Sequence, residues 1–112
     1  MKDVVLVTGS GRAGTVEKLD AAAVRRILDV DVVGLARELA PDGIRVNAVL
    51  PGIIETAIHE KAGLAAKMPD LLQLVPMRRI GQPEECAQAI AWLLSDRASY
   101  VSGAVLPVTG AR

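Results

Sequence analysis

Apolar positions along the chain change period several times, and each change marks an element. Val4-Val5-Leu6-Val7 is an unbroken apolar run, rich in β-branched residues and closed by Thr8-Gly9. A strand apolar on both faces predicts a parallel sheet with helices on either side. From Ala21 the period lengthens. Val24, Leu28, Val32, Leu35 and Leu39 recur at three- and four-residue steps, which predicts a helix with one buried stripe, capped by Asp20. Asp31 lies on the edge of that stripe, where burial would demand a partner, and Gly34 interrupts it at about 1 kcal/mol relative to Ala.

Pro41-Asp42-Gly43 predicts a turn, Ile44 to Leu50 a second strand, and Pro51-Gly52 its end. Residues 53–80 have helical composition broken by Gly63, Pro69 and Pro76, which predicts two short helices in a mobile segment. Pro83 opens a further helix at the first-turn position where its missing N–H is harmless, with Glu84 and Glu85 at the positive helix end. Cys86, Ile90, Leu93 and Leu94 form its expected inner face, and Ser102-Gly103 leads to a last strand, Ala104 to Val108. The order implies an α/β fold: a small three-stranded parallel, Rossmann-like sheet with flanking helices and right-handed crossovers.

Composition narrows the picture. A chain of 112 residues is expected to be a single domain, 1–112, small for an enzyme holding both a dinucleotide and a substrate. Thirteen basic and thirteen acidic residues cancel, so charge gives no reason to expect nucleic acid or an anionic membrane. With no Phe, one Trp and one Tyr, the core must come from Ala, Val, Leu and Ile. No apolar run reaches the ~18–20 residues of a membrane span. Glycines interrupt the N-terminal apolar run, no signal peptide is read there, and Cys86 stands alone. The expected compartment is the reducing cytoplasm.

The candidate chemistry begins in "VLVTGSGRAGT". Gly9-x-Gly11-x-x-Gly14 after a strand matches the dinucleotide fingerprint, in which glycines bring backbone N–H groups close to a pyrophosphate. The acidic ribose ligand due about 20 residues on falls at Asp29 or Asp31, inside a helix rather than after a second strand. A plain glycine-rich turn is the competing reading.

"ARELAPDGIRVNAVLPGIIET" and "RRIGQPEECAQAIAWLLSDRASYVSGAVLPVTG" closely resemble the C-terminal half of the short-chain dehydrogenase/reductase family, and "VLVTGSG" looks like its first strand and phosphate loop. The spacing departs from the family's TGxxxGxG, with Ala13 and Thr15 where glycines are expected. The resemblance implies NAD or NADP as cofactor. It implies cofactor contacts at Gly9, Ser10, Gly11, Arg12 and Gly14, at the Pro51-Gly52 turn, and at Ile53, Ile54 and Thr56 beyond it. Residues 52–80 would correspond to the substrate lid.

The same resemblance implies two internal blocks absent from this sequence, those bearing the family's ribose-selecting residue, catalytic Ser and Tyr-x-x-x-Lys. Hydride transfer needs the Lys, because a Tyr near pKa 10 is a poor base at neutral pH. Tyr100 is the sole tyrosine, and the residue four further on is Ala104. The resemblance gives Tyr100 a packing role before the last strand. Asp31 occupies a position where the family usually has an Asn of its proton relay.

His59, among Glu55, Glu60 and Lys61, reads as part of a solvated helix face, Cys86 as a small core residue, and no spacing suggests a metal. Residual dinucleotide binding without hydride transfer is therefore the expectation. The alternatives are a non-enzymatic oligomerising module, its sheet edges and apolar helix faces left open, and a shortened product with no selected function.

Overall fold

The computed structural model describes residues 2–7, 21–55 and 64–112. Strand β1 (Lys2–Val7) is followed by helix α1 (Ala21–Leu39), a 3-10 turn (Ala40–Asp42) and strand β2 (Ile44–Pro51). A 3-10 turn (Leu64–Lys67) then runs into α2 (Met68–Gln73), and α3 (Pro83–Leu94), a 3-10 turn (Asp96–Ala98) and β3 (Val105–Val108) complete the order. The sheet is parallel in the order β1-β2-β3. Lys2 pairs with Ile44 through to Val7 with Val49, and Ala48 with Val105 through to Pro51 with Val108.

The middle strand is the centre of the core. Arg45, Val46, Asn47, Ala48 and Val49 are buried consecutively. Because strand side chains alternate between faces, an unbroken buried run means that both faces of β2 are covered. Helices α1 and α3 both pack against it.

Asn47 and Arg45 point to one side and tie down the chain that leads into β3. Asn47 donates from Nδ2 to the Val101 carbonyl at 3.0 Å and accepts at Oδ1 from the Ala104 N–H at 3.1 Å. The Arg45 guanidinium donates to the Val101 and Ser95 carbonyls, both at 3.2 Å. The backbone of Val46 joins in: its N–H donates to the Ser102 hydroxyl and its carbonyl accepts from the Gly103 N–H at 2.7 Å. Polar residues can be buried here because each feeds a backbone group that enters the sheet.

Helix α1 ends as the sequence predicts. Gly43 adopts φ +72° and donates its N–H to the Ala40 carbonyl, a left-handed stop that suits glycine. Its buried stripe is narrower than the periodicity implies. Val32 and Ala36 are buried, Leu28 and Leu39 are half-buried, and Leu35 is exposed. The reason is close approach: a Cβ on Gly103 would sit 3.5 Å from Ala36 Cβ and 3.8 Å from Val33 Cα, so α1 meets this loop through its small residue. Asp31 is exposed, and needs no buried partner.

Helix α3 begins at Pro83 and buries Cys86 and Leu93, with Ile90 half-buried. Leu94 departs from the expected inner face and is exposed, like its neighbour Trp92. In 53–80 the described residues form a 3-10 turn running into one short α-helix, and residues 56–63, where the rest of the expected helical segment falls, lie outside the described residues; Pro69 starts α2 within its first turn rather than breaking it. Ala104 is held by Asn47 and by the Ala48 N–H just before β3 starts at Val105.

Candidate functional site at the carboxyl edge of the sheet

In an open parallel sheet, ligands bind beyond the carboxyl ends of the strands. Val7 stands opposite Val49, so β1 and β2 end at the same edge, and the glycine-rich segment and Pro51-Gly52 both leave from it. Gly9, Ser10, Gly11, Arg12 and Gly14, together with Thr56 and His59, lie outside the described residues. Pro51, Gly52, Ile53 and Ile54 lie within them and define the edge.

Gly52 carries the β2–β3 pairing one step past the strand, donating its N–H to the Val108 carbonyl at 2.9 Å. A Cβ here would lie 2.8 Å from Thr109 Cα, a backbone atom that has little room to yield, so two main chains meet at a distance only glycine allows.

Beyond this point the chain forms an isolated parallel bridge between Ile54 and Gly81. Gly81 donates to the Ile53 carbonyl and Glu55 donates to the Gly81 carbonyl, both at 2.9 Å. In a parallel bridge the central residue turns its own N–H and C=O to the opposite side. Those two groups of Ile54 have no partner among the described residues. One donor and one acceptor without a partner among the described residues are thus held side by side at the edge.

Next to them lies a cavity of roughly 400 Å³, lined by Ile53, Ile54, Met77, Arg79, Thr109 and Gly110 among others. Met77 N–H donates to the Gly110 carbonyl at 3.2 Å, joining the turn after α2 to the end of the chain. At the cavity rim the Arg79 guanidinium grips Glu85 with both arms, at 2.9 and 2.6 Å. The Glu85 carboxylate also accepts the Gln82 N–H at 2.7 Å, and the Gln82 side-chain amide donates to Glu55 at 2.8 Å. The Arg79 hydrogen bonds, with the Gln82 N–H second, hold the Glu85 carboxyl down at about 2, and the same pairing raises Arg79.

In the sequence Glu85 reads only as helix-start charge and Glu55 as part of a solvated face, and no motif singles out Arg79 or Gln82. The visible clue was an Arg six residues before a Glu, straddling the Gly81-Gln82-Pro83 turn. Cys86 is buried, and that burial, followed by the nearby Glu85 charge, raises its thiol pKa, the opposite of an activated nucleophile. Tyr100 corrects an expectation: it is fully exposed, so it does not pack before the last strand. No cluster of three or more His, Cys, Asp or Glu residues able to hold a metal occurs among the described residues, and no described helix is long and apolar enough to cross a membrane.

A parallel α/β sheet with its ligand edge built this way defines the Rossmann-like class, and sequence relatives make the class specific. The family described as enoyl-(acyl carrier protein) reductase matches residues 5–110. The chain is 45% identical over 96 residues to the uncharacterised oxidoreductase YgfF of Escherichia coli K12, covering 86% of this chain and 39% of that protein. It is 49% identical over 75 residues to the 3-oxoacyl-[acyl-carrier-protein] reductase FabG of Thermotoga maritima, covering 67% of this chain and 30% of that one. The crystal structure of a putative 2-deoxy-D-gluconate 3-dehydrogenase from Agrobacterium tumefaciens with bound NADP superposes with a TM-score of 0.76 at 33% identity, over 96% of this chain and 45% of that one. The chain belongs to the short-chain dehydrogenase/reductase family of oxidoreductases. It spans well under half the length of these relatives.

Proposed function

We propose that these 112 residues are the dinucleotide-facing part of an NAD(P)-dependent oxidoreductase and do not themselves transfer hydride. One observation carries the reading: the bridge at Gly81 turns the Ile54 N–H and C=O away from it at the carboxyl edge, with no partner among the described residues, beside the Pro51-Gly52 turn. A primary carboxamide such as that of nicotinamide needs one acceptor and one donor, and this pair matches it. Gly9, Ser10, Gly11, Arg12 and Gly14 would take the pyrophosphate through backbone N–H groups, with Thr56 adding a hydroxyl. NAD or NADP, when bound, supplies or accepts the hydride.

In this reading the sequence lacks the Tyr–Lys pair that the step would need. Tyr100 is exposed, and Ala104, where a Lys would be needed, has its N–H bonded to Asn47. Residues 52–80 serve as the lid over the site in this reading, within a single domain. Its test pairs two assays on the purified chain. Thermal shift with NAD and NADP should show binding, while oxidation of NADH or NADPH with carbonyl substrates should stay at background. Turnover above background would overturn the second half of the reading.

A second reading, self-association, is favoured by the apolar side chains left in solvent: Tyr100, Trp92, Leu94 and Leu106 are all exposed. Light scattering should then give a dimer or larger, with no nucleic acid or membrane partner, in a cytoplasmic setting. A monomer at high concentration would count against it.

A further inference from the structure

We propose that Glu85 is a positioning residue, the latch that fixes the backbone of Ile54 toward the cofactor; this rests on the dinucleotide-facing reading above. Ile54 lies beyond the end of β2, and its direction is set by the two hydrogen bonds to Gly81. Those bonds hold only while the short stretch from Arg79 to Gln82 stays in place. That stretch contains no helix or strand of its own, and it is fastened from both ends through Glu85.

The fastening is closed on itself. Arg79, two residues before Gly81, places both guanidinium arms on Glu85. Gln82, one residue after Gly81, gives its backbone N–H to the same carboxylate and its side-chain amide to Glu55. Glu55 in turn is the residue whose N–H closes the bridge on the Gly81 carbonyl. One carboxylate on the first turn of α3 therefore holds both flanks of the bridge.

Gly81 completes the fit. A Cβ there would lie 2.6 Å from Ile54 Cδ1, so the glycine lets the Ile54 side chain lie across it. An exposed ion pair contributes little to global stability. Its place at the flank of a two-bond bridge gives it a local effect instead.

The experiment measures amide exchange by NMR and NADP affinity on the same ¹⁵N-labelled chain. Glu85→Gln keeps an acceptor for the Gln82 N–H but loses the ion pair. Glu84→Gln removes the same charge from an exposed neighbour on the same helix turn. The latch requires Glu85→Gln to speed exchange at Glu55 and Gly81 severalfold, leave Ala48, Gly52 and Gly103 unchanged, and weaken NADP binding severalfold. Glu84→Gln should alter none of these, and Gln82→Ala should reproduce the Glu85→Gln pattern more weakly.

Wild-type exchange at Glu55 and Gly81 in Glu85→Gln, or equal acceleration throughout β2, would overturn the latch. So would accelerated exchange with unchanged NADP affinity. Failure of the wild-type chain to bind NAD or NADP would remove the cofactor reading and with it the positioning role, while the exchange data would still decide whether the bridge depends on Glu85.

Discussion

The two sides of β2 are held by different means. Toward β3, side chains reach across fifty or more positions of sequence: Arg45 grips Val101 and Ser95, and Asn47 bonds both the Val101 carbonyl and the Ala104 N–H of the chain entering the strand. Toward α1, Val32 and Ala36 are the fully buried helix residues among those described, and large apolar side chains such as Val30 and Leu35 face solvent. One region is specified by buried polar bonds, the other by shape alone. Buried polar groups are costly when left unpaired, whereas a loosely packed helix tolerates exchange. The region that leads the chain into β3 is the one that cannot slip.

That contrast can be broken most forcefully at Asn47. Replacing it with Leu strands the Ala104 N–H in the interior and leaves the Val101 carbonyl to Arg45 alone, so Asn47→Leu should cost on the order of 1–3 kcal/mol. Denaturant titration of the variant against wild type measures this. A loss below 1 kcal/mol, on the scale of a neutral surface change, would mean that the bonds to the β3 approach do not hold it.

Gly52→Ala comes next. Its methyl group would be forced against the Thr109 backbone, at an expected cost of about 1–3 kcal/mol. Because β2 and β3 part here, thermal unfolding should show the loss and NADP binding should weaken in the same variant. Full retention of both would mean that the edge is more pliable than the close approach implies.

On the α1 side the sign reverses. Gly34 lies in the exposed interior of the helix, and a Cβ there would meet nothing within 4 Å. Gly34→Ala should therefore stabilise by about 0.5–1 kcal/mol, read as a raised thermal midpoint. A destabilised variant would show that α1 contacts something at this face.

The smallest effect follows pH. The Glu85 carboxyl is lowered from 4.5 to about 2 in the fold, chiefly by Arg79 and then by the Gln82 N–H. A depressed carboxyl contributes its stabilisation fully above its unfolded value and loses it as pH falls through the folded one. Wild type should thus lose its advantage over Glu85→Gln between about pH 4.5 and pH 2, with no change between pH 6 and 8. Thermal melts across that range test it, and a difference that persists undiminished at pH 2 would contradict the pairing.

Much of this architecture was legible in the sequence because it rests on local signals. Pro41-Asp42-Gly43 marked the end of α1, Pro83 the start of α3, and the apolar runs the three strands. Where reading failed, the cause lay in contacts distant in sequence. Leu35 looked like core because periodicity favours large apolar residues, yet Ala36 is the buried one because Gly103 comes close. Leu94 and Tyr100 looked packed from their setting, but both are exposed.

Pro51, Gly52 and Ile54 were found through their resemblance to a family. Their physical basis, the contact with Thr109 and the bridge to Gly81, depends on residues 27 or more positions away. The Arg79–Glu85 pair was nearer, but its meaning comes only from the bridge it flanks. The glycine-rich stretch Gly9-x-Gly11-x-x-Gly14 lies outside the described residues.

The central proposal is that this edge takes a dinucleotide, although the residue four positions after Tyr100 is Ala104 rather than a Lys. Calorimetric titration of the wild-type chain with NADP and NAD tests it most directly. The account predicts measurable heat and saturable binding at or below millimolar cofactor, weakened in Gly52→Ala. No heat and no thermal shift at millimolar NADP or NAD would contradict it.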